Sequence, residues 1–281
     1  MSDPHARFRF LAVASAVVLI LAGCATDRGS DLERWMRRGY SESYRSPITE
    51  ERAHLVAGFA SGFAVQDATP FRQLGYVDAQ IDGSLALHET TPAVRGWGAY
   101  AFRLGGGRRL ILQAPHSESD IGTARIGIGL YALARGRAVA LNSAHRSLPD
   151  ADQAGAGDTP FLLFTQEALR AGPDTLVVQL HGFGEATALK YALTGETMVA
   201  SNGTREPDPA LRTFAACARG AGIDVRLFPE EAAYPGGTRN AVGRLVRNYP
   251  EARFMHLEMG ASLRASLVRE PSRLQAFAAC L

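Results

Sequence analysis

Few features of this 281-residue sequence are extreme, and several familiar signals are missing. Charge of one sign is not in excess: 30 Lys and Arg against 28 Asp and Glu leave +2, and no long Lys/Arg run occurs. A basic patch or stripe is the usual footprint of a nucleic-acid partner, so none is expected. Arginine greatly outnumbers lysine, a mark of genome composition more than of function. The apolar run Leu11 to Ala22 is about a dozen residues, short of the roughly 20 that span a bilayer as a helix. No Gly-x-Ser-x-Gly exists, which removes the nucleophile elbow that a serine esterase needs. No internal repeat is found. Cysteine is scarce, with Cys24, Cys217 and Cys280 the whole supply.

What is present begins at the amino terminus. Arg7 and Arg9 precede the apolar run, and small residues close it, which together make a secretory signal over residues 1–23. Its end, Leu21-Ala22-Gly23-Cys24, resembles the lipobox of bacterial lipoproteins. That resemblance implies diacylation of Cys24, which becomes the first mature residue and ties the protein to a membrane. Two or more acyl chains make such anchoring stable. Ala25 rather than Asp after the cysteine favours the outer membrane, again by resemblance. An oxidising exterior permits Cys217 and Cys280 to pair; the alternative is two buried thiols.

Residues 24–50 are polar and punctuated and read as the lipidated cysteine plus a tether, with one short helix near Leu32 to Arg38. A helix is expected from Glu50, and residues 51–93 are expected to add an edge or lid. From Val94 onward strands and helices alternate. Trp97 to Leu104 and Arg108 to Gln113, separated by three glycines, suggest a hairpin. The run TLVVQL from Thr175 to Leu180 is the best central strand, short and β-branched. Pro209 to Gly220 reads as a helix, with proline in its first turn and Gly222 near its stop. Strands spaced by helix-length segments predict an α/β fold: a mixed, largely parallel central sheet with helices on both faces, one domain over 51–281.

Polar residues follow strands at four places: His116 to Asp120 after Gln113, Asn142 to Arg146 after Leu141, His181-Gly182 after Leu180, and Glu258 after His256-Leu257. Ligands of open α/β sheets bind at the carboxyl ends of strands, so these four corners are candidates for one site. The residue types suit a mononuclear zinc site, with three His or carboxylate ligands and an open position. His116, Asp120 and His181 are the candidate ligands, with Glu118 an alternative carboxylate. Glu258 is the candidate general base. His256 lies two residues from Glu258, on the same side of a straight strand, and either orients it or is a buried structural histidine.

Pro115-His116-x-x-x-Asp120-x-x-Thr123, then Leu180-His181-Gly182, then His256-Leu257-Glu258-Met259 before Leu263-Arg264, resembles the zinc-dependent N-formylglutamate amidohydrolase and poly-γ-glutamate hydrolase group. The similarity runs over roughly residues 94–268 in short motifs. It implies a zinc carboxypeptidase-like fold, zinc on His116, Asp120 and His181, Glu258 as base, and Asn142, Arg146 and Arg264 at a substrate carboxylate or carbonyl. Two departures stand out. The acidic ligand of the group is usually Glu, and its Gly-rich loop is replaced by Ser117-Glu118-Ser119. The expected activity is hydrolysis of an amide or peptide bond in a small carboxylate-bearing substrate, such as an N-acyl-glutamate, a γ-glutamyl chain or a cell-wall peptide. The alternative is a non-catalytic envelope lipoprotein on the same fold. His181-Gly182-Phe183-Gly184 also looks like an esterase oxyanion loop, but no nucleophile elbow accompanies it.

Overall fold

Helix starts follow their capping chemistry. Thr159, Asp208 and Asn240 each accept a backbone N–H of the first turn that they precede, and Pro160 and Pro209 occupy first-turn positions where no N–H is needed. The computed structural model describes residues 25–90 and 94–281, with side chains from residue 31; the expected leader 1–23 and Cys24 lie outside the described residues. The chain opens with α1 (Ala25–Met36), α2 (Thr49–Ala64) and α3 (Thr69–Gln73), then β1 (Tyr76–Ile81) and β2 (Ser84–Glu89). Next come β3 (Ala99–Arg103), β4 (Arg108–Ala114), α4 (Thr123–Leu133), β5 (Gly136–Leu141) and α5 (Pro160–Ala171). The second half holds β6 (Leu176–Gly182), α6 (Glu185–Lys190), β7 (Thr197–Ser201), α7 (Pro209–Gly220) and β8 (Asp224–Leu227). It ends with α8 (Ala241–Val246), β9 (Arg253–Met259), α9 (Ala261–Arg269) and α10 (Pro271–Ala278).

The nine strands form one sheet in the order β1-β2-β3-β5-β4-β6-β9-β7-β8. Its centre, β5-β4-β6-β9, is parallel, and antiparallel pairs flank it. Period-two alternation sorts the central strands between two cores. Leu112, Val178, Leu180 and Leu257 face a core shared with α1, α4, α7, α9 and α10. Ile111, Val177 and Phe254 face an aromatic core built with α2, α3, α5 and α8. Phe59, Phe71, Tyr100 and Phe164 meet there, mostly edge to face, at centroid separations of 4.8–6.4 Å.

The expected hairpin through Gly105–Gly107 does not form. β5 lies between its two arms, antiparallel to β3 and parallel to β4. The reason is burial: Ala138 to Leu141 carry almost no exposed surface, so β5 takes a neighbour on each edge. The hairpin that does form is β1–β2, where Asp82 and Gly83 both adopt positive φ (51° and 70°), the paired left-handed conformation of a type I′ turn. Cys217 of α7 and Cys280 beyond α10 are joined by a disulfide, with Cα atoms 5.6 Å apart. Among the described residues no helix is long and apolar enough to cross a membrane.

Candidate metal centre

Four parallel strands deliver their carboxyl ends to one edge of the sheet, and the expected polar corners meet there. In β6 and β9 the register pairs Gln179 with His256 and His181 with Glu258. All four side chains share the aromatic-core face of the sheet, because they sit at odd steps from Leu180 and Leu257. His116 arrives from the turn after β4, and Asp120 accepts a hydrogen bond from Gly182 N at 2.9 Å.

His116, Asp120 and His181 present one ligand atom each to a common point. His116 Nδ1 lies 3.4 Å from Asp120 Oδ2, His181 Nδ1 lies 4.0 Å from the same oxygen, and the two Nδ1 atoms are 3.2 Å apart. The circle through three atoms so spaced has a radius of about 2.1 Å, the bond length zinc makes to imidazole nitrogen and carboxylate oxygen, roughly 2.0–2.2 Å. The donors are also oriented for a cation. His116 Nε2 donates to Asp152 Oδ1 at 2.9 Å, and His181 Nε2 bonds Gln179 Oε1 at 3.2 Å, which leaves both Nδ1 atoms facing inward. An outer carboxylate or carbonyl on the far nitrogen is how metal-binding histidines are held. These residues fit a metal ion.

The electrostatics agree with the assignment. Burial, with the charges of His256, His116 and Arg146, pushes His181 well below the usual histidine range, so the ring is neutral and able to ligate. Burial also pulls His116 down, but the hydrogen bonds its ring donates to Asp120 and Asp152 outweigh it and leave the ring above its ordinary value. A cation entering the site would therefore displace a proton from His116. The bond to His116 holds Asp152 well below the ordinary carboxylate range. His256, 4.3 Å from the His181 ring, is driven down to about 3 by burial. Glu258 goes the other way: burial and the nearby Asp120 carboxylate raise it to about 7.

The remaining candidates are sorted by their partners. Arg146 reaches the centre, with Nη1 3.1 Å from His116 Nδ1. Glu118 does not, since its carboxylate turns to Arg37 at 3.5 Å. Asn142 uses both ends of its amide on backbone, donating to Pro115 O at 2.9 Å and accepting from Ala144 N at 3.1 Å. These two bonds tie the Asn142 side chain to the start of the His116 loop. Arg264, expected at the substrate, instead donates to the carbonyls of Ile121, Phe183 and Met259 and so ties three site loops together. His145 is bonded to Ser147 and stays outside.

Asp152, Gln179 and Asn240 are not among the candidates that the sequence offers. Asp152 gives no local signal, lying 36 residues from its partner. Gln179 did leave one: a glutamine in the middle of TLVVQL is polar where a central strand should be apolar, and Gln113 at the end of RRLILQ repeats it.

No protein-family model matches the chain, and no curated protein matches it significantly. Among solved structures, a bacteriophage poly-γ-glutamate hydrolase is similar at 11% identity, over 62% of this chain and 82% of that one, with a TM-score of 0.37. The N-formylglutamate amidohydrolase of Ralstonia eutropha JMP134 is similar at 12% identity, over 64% and 96%, with a TM-score of 0.40. Cytosol aminopeptidase of Coxiella burnetii is similar at 9% identity, over 91% and 65%, with a TM-score of 0.39. At identities and scores this low, function rests on the site's own chemistry.

Proposed function

We propose that this chain is a zinc-dependent hydrolase of an amide or peptide bond, anchored to the bacterial outer membrane through lipid on Cys24. One observation carries the catalytic reading: three inward-facing donors, His116 Nδ1, Asp120 Oδ2 and His181 Nδ1, spaced for a single ion beside the Glu258 carboxylate. Zinc held there supplies Lewis-acid polarisation of a carbonyl and lowers the pKa of water. Glu258, poised near neutrality, takes the proton of the attacking water and returns it to the leaving amine. The Arg146 guanidinium places fixed positive charge where an oxyanion or a substrate carboxylate would lie. Arginine suits planar carboxylate recognition, which favours substrates of the N-acyl-glutamate, γ-glutamyl or cell-wall peptide kind. Leu21-Ala22-Gly23-Cys24 supports the anchor, and the Cys217–Cys280 disulfide suits an oxidising compartment.

Elemental analysis of the purified protein tests the metal. About one zinc per chain, sharply reduced in His116→Ala and His181→Ala, is expected, together with hydrolysis of γ-glutamyl or N-acyl-glutamate amides. A folded protein that takes up no added zinc would overturn the reading. The anchor is tested by fractionating cells that express Cys24→Ser, which should leave the membrane fraction while wild type remains in it.

A further inference from the structure

A buried chain of side chains leads away from His181, and each of its hydrogen bonds has only one allowed direction. It starts on α5, where Thr165 Oγ1 donates to Phe161 O at 2.8 Å; a carbonyl only accepts, so the hydroxyl proton is committed. Thr165 Oγ1 must then accept from Gln113 Nε2, at 2.8 Å. That turns Gln113 Oε1 towards Gln179, whose Nε2 donates to it at 2.8 Å. Gln179 Oε1 is left to face His181 Nε2 at 3.2 Å. A second anchor reaches the same oxygen. Asn240 Oδ1 accepts from Gly243 N at 3.1 Å as the cap of α8, so Asn240 Nδ2 must donate to Gln179 Oε1, at 2.6 Å. Thr165, Gln113 and Gln179 have no exposed surface, so water does not supply an alternative partner.

We infer that Gln113, Gln179 and Asn240 are positioning residues that fix the proton of His181 on Nε2, and so keep its Nδ1 lone pair aimed at the metal position. The inference rests on the metal reading above. Two helix backbones, through Phe161 O and Gly243 N, set the tautomer of a ring neither of them touches. Deleting an outer partner of a metal-binding histidine typically weakens the metal about 10- to 100-fold.

Two substitutions that each place a carboxylate in the network separate this from plain electrostatics. Asn240→Asp keeps the cap of α8 but turns an acceptor on Gln179 Oε1. The whole relay then turns over: the Gln179 and Gln113 amides flip together and the Thr165 hydroxyl swings from Phe161 O to Gln113 Oε1, so that Gln179 Nε2 faces His181 Nε2 and the His181 proton moves to Nδ1. Gln179→Glu leaves an acceptor opposite His181 Nε2 and preserves the tautomer, while the Gln113 amide turns over to donate to its second oxygen and takes the Thr165 hydroxyl on Oε1. If added negative charge alone governed the centre, both variants would hold zinc more tightly. The relay predicts instead that Asn240→Asp binds zinc about 10- to 100-fold more weakly while Gln179→Glu loses none of its affinity.

The experiment is nitrogen NMR of the imidazole rings in the metal-free full chain, beside zinc competition against a chelator, for wild type and both variants. A His181 proton on Nε2 in wild type and Gln179→Glu, and on Nδ1 in Asn240→Asp, with the affinities ordered as stated, is the expected result. A His181 proton on Nδ1 in wild type, or an Asn240→Asp protein whose tautomer and affinity match wild type, overturns the relay. A wild type with the Nε2 proton that binds no zinc overturns the hydrolase reading and leaves the relay standing.

Discussion

Glu258 is the residue whose chemistry depends most on its surroundings. A carboxyl group near pH 4 in water is a poor proton carrier at neutrality, and burial beside Asp120 corrects that by raising it to about 7. Glu258→Gln keeps the shape and removes the proposed proton transfer. Its kcat should fall by about 10²- to 10⁴-fold while zinc content stays unchanged, read by steady-state kinetics and elemental analysis of the same preparation. The same shift predicts a pH signature in the metal-free protein. A group with its folded pKa raised above its unfolded value binds extra protons in the folded state, so its contribution to stability is fully present below the unfolded value and is lost as pH rises through the folded one. The Tm of wild type minus that of Glu258→Gln should therefore decline between pH about 4.5 and about 7. His256, driven down to about 3 by burial, acts in the opposite direction and is present in both proteins. A difference that is flat with pH would place Glu258 in a more solvated setting.

At the scale of elements, contact decides what propensity leaves open. α2 contains Gly58 and Gly62, which weaken a free helix by about 1 kcal/mol each relative to alanine. Here they let α2 lie against aromatic rings. A Cβ on Gly62 would come within 2.6 Å of the Phe102 ring, itself packed against Phe63 at 5.0 Å. Overpacking of this kind costs about 1–3 kcal/mol, more than the helix gains. Gly62→Ala should lower the denaturant midpoint despite its better helix propensity, and a rise would show that the aromatic core has room to shift. The site strands were legible because short, β-branched, turn-bounded runs with polar residues at their ends mark central parallel strands. The separation of β3 from β4 was not, since a glycine-rich segment between two apolar runs looks the same whether the runs pair or another strand enters between them.

The whole molecule is tied at its far end by Cys217–Cys280, which closes a loop with a sequence separation of 63. Chain-entropy arguments assign such a loop about 4 kcal/mol of stabilisation by restricting the unfolded chain. Reduction, or Cys217→Ser, should lower Tm accordingly in calorimetry, with any zinc content at 25 °C unchanged, because α7 and α10 pack on the sheet face opposite the candidate metal centre. Loss of zinc on reduction would mean that the bond also shapes the site.

The sequence by itself determined the local facts: an alternation of strands and helices, and a polar residue at the end of each central strand. These are written in short-range pattern, where period, capping and turn chemistry act within a few residues. Only the tertiary structure decided which strands are neighbours and which partners hold each site residue. It drew Asp152 to His116 across 36 residues and Asn240 to Gln179 across 61, turned Glu118 to Arg37, and tied Arg264 to three loop carbonyls. Backbone hydrogen bonds carry no record of which strand they join, and a carboxylate bonds any donor within reach. Those choices are made by burial and packing of the whole chain, and so appear only when it has folded.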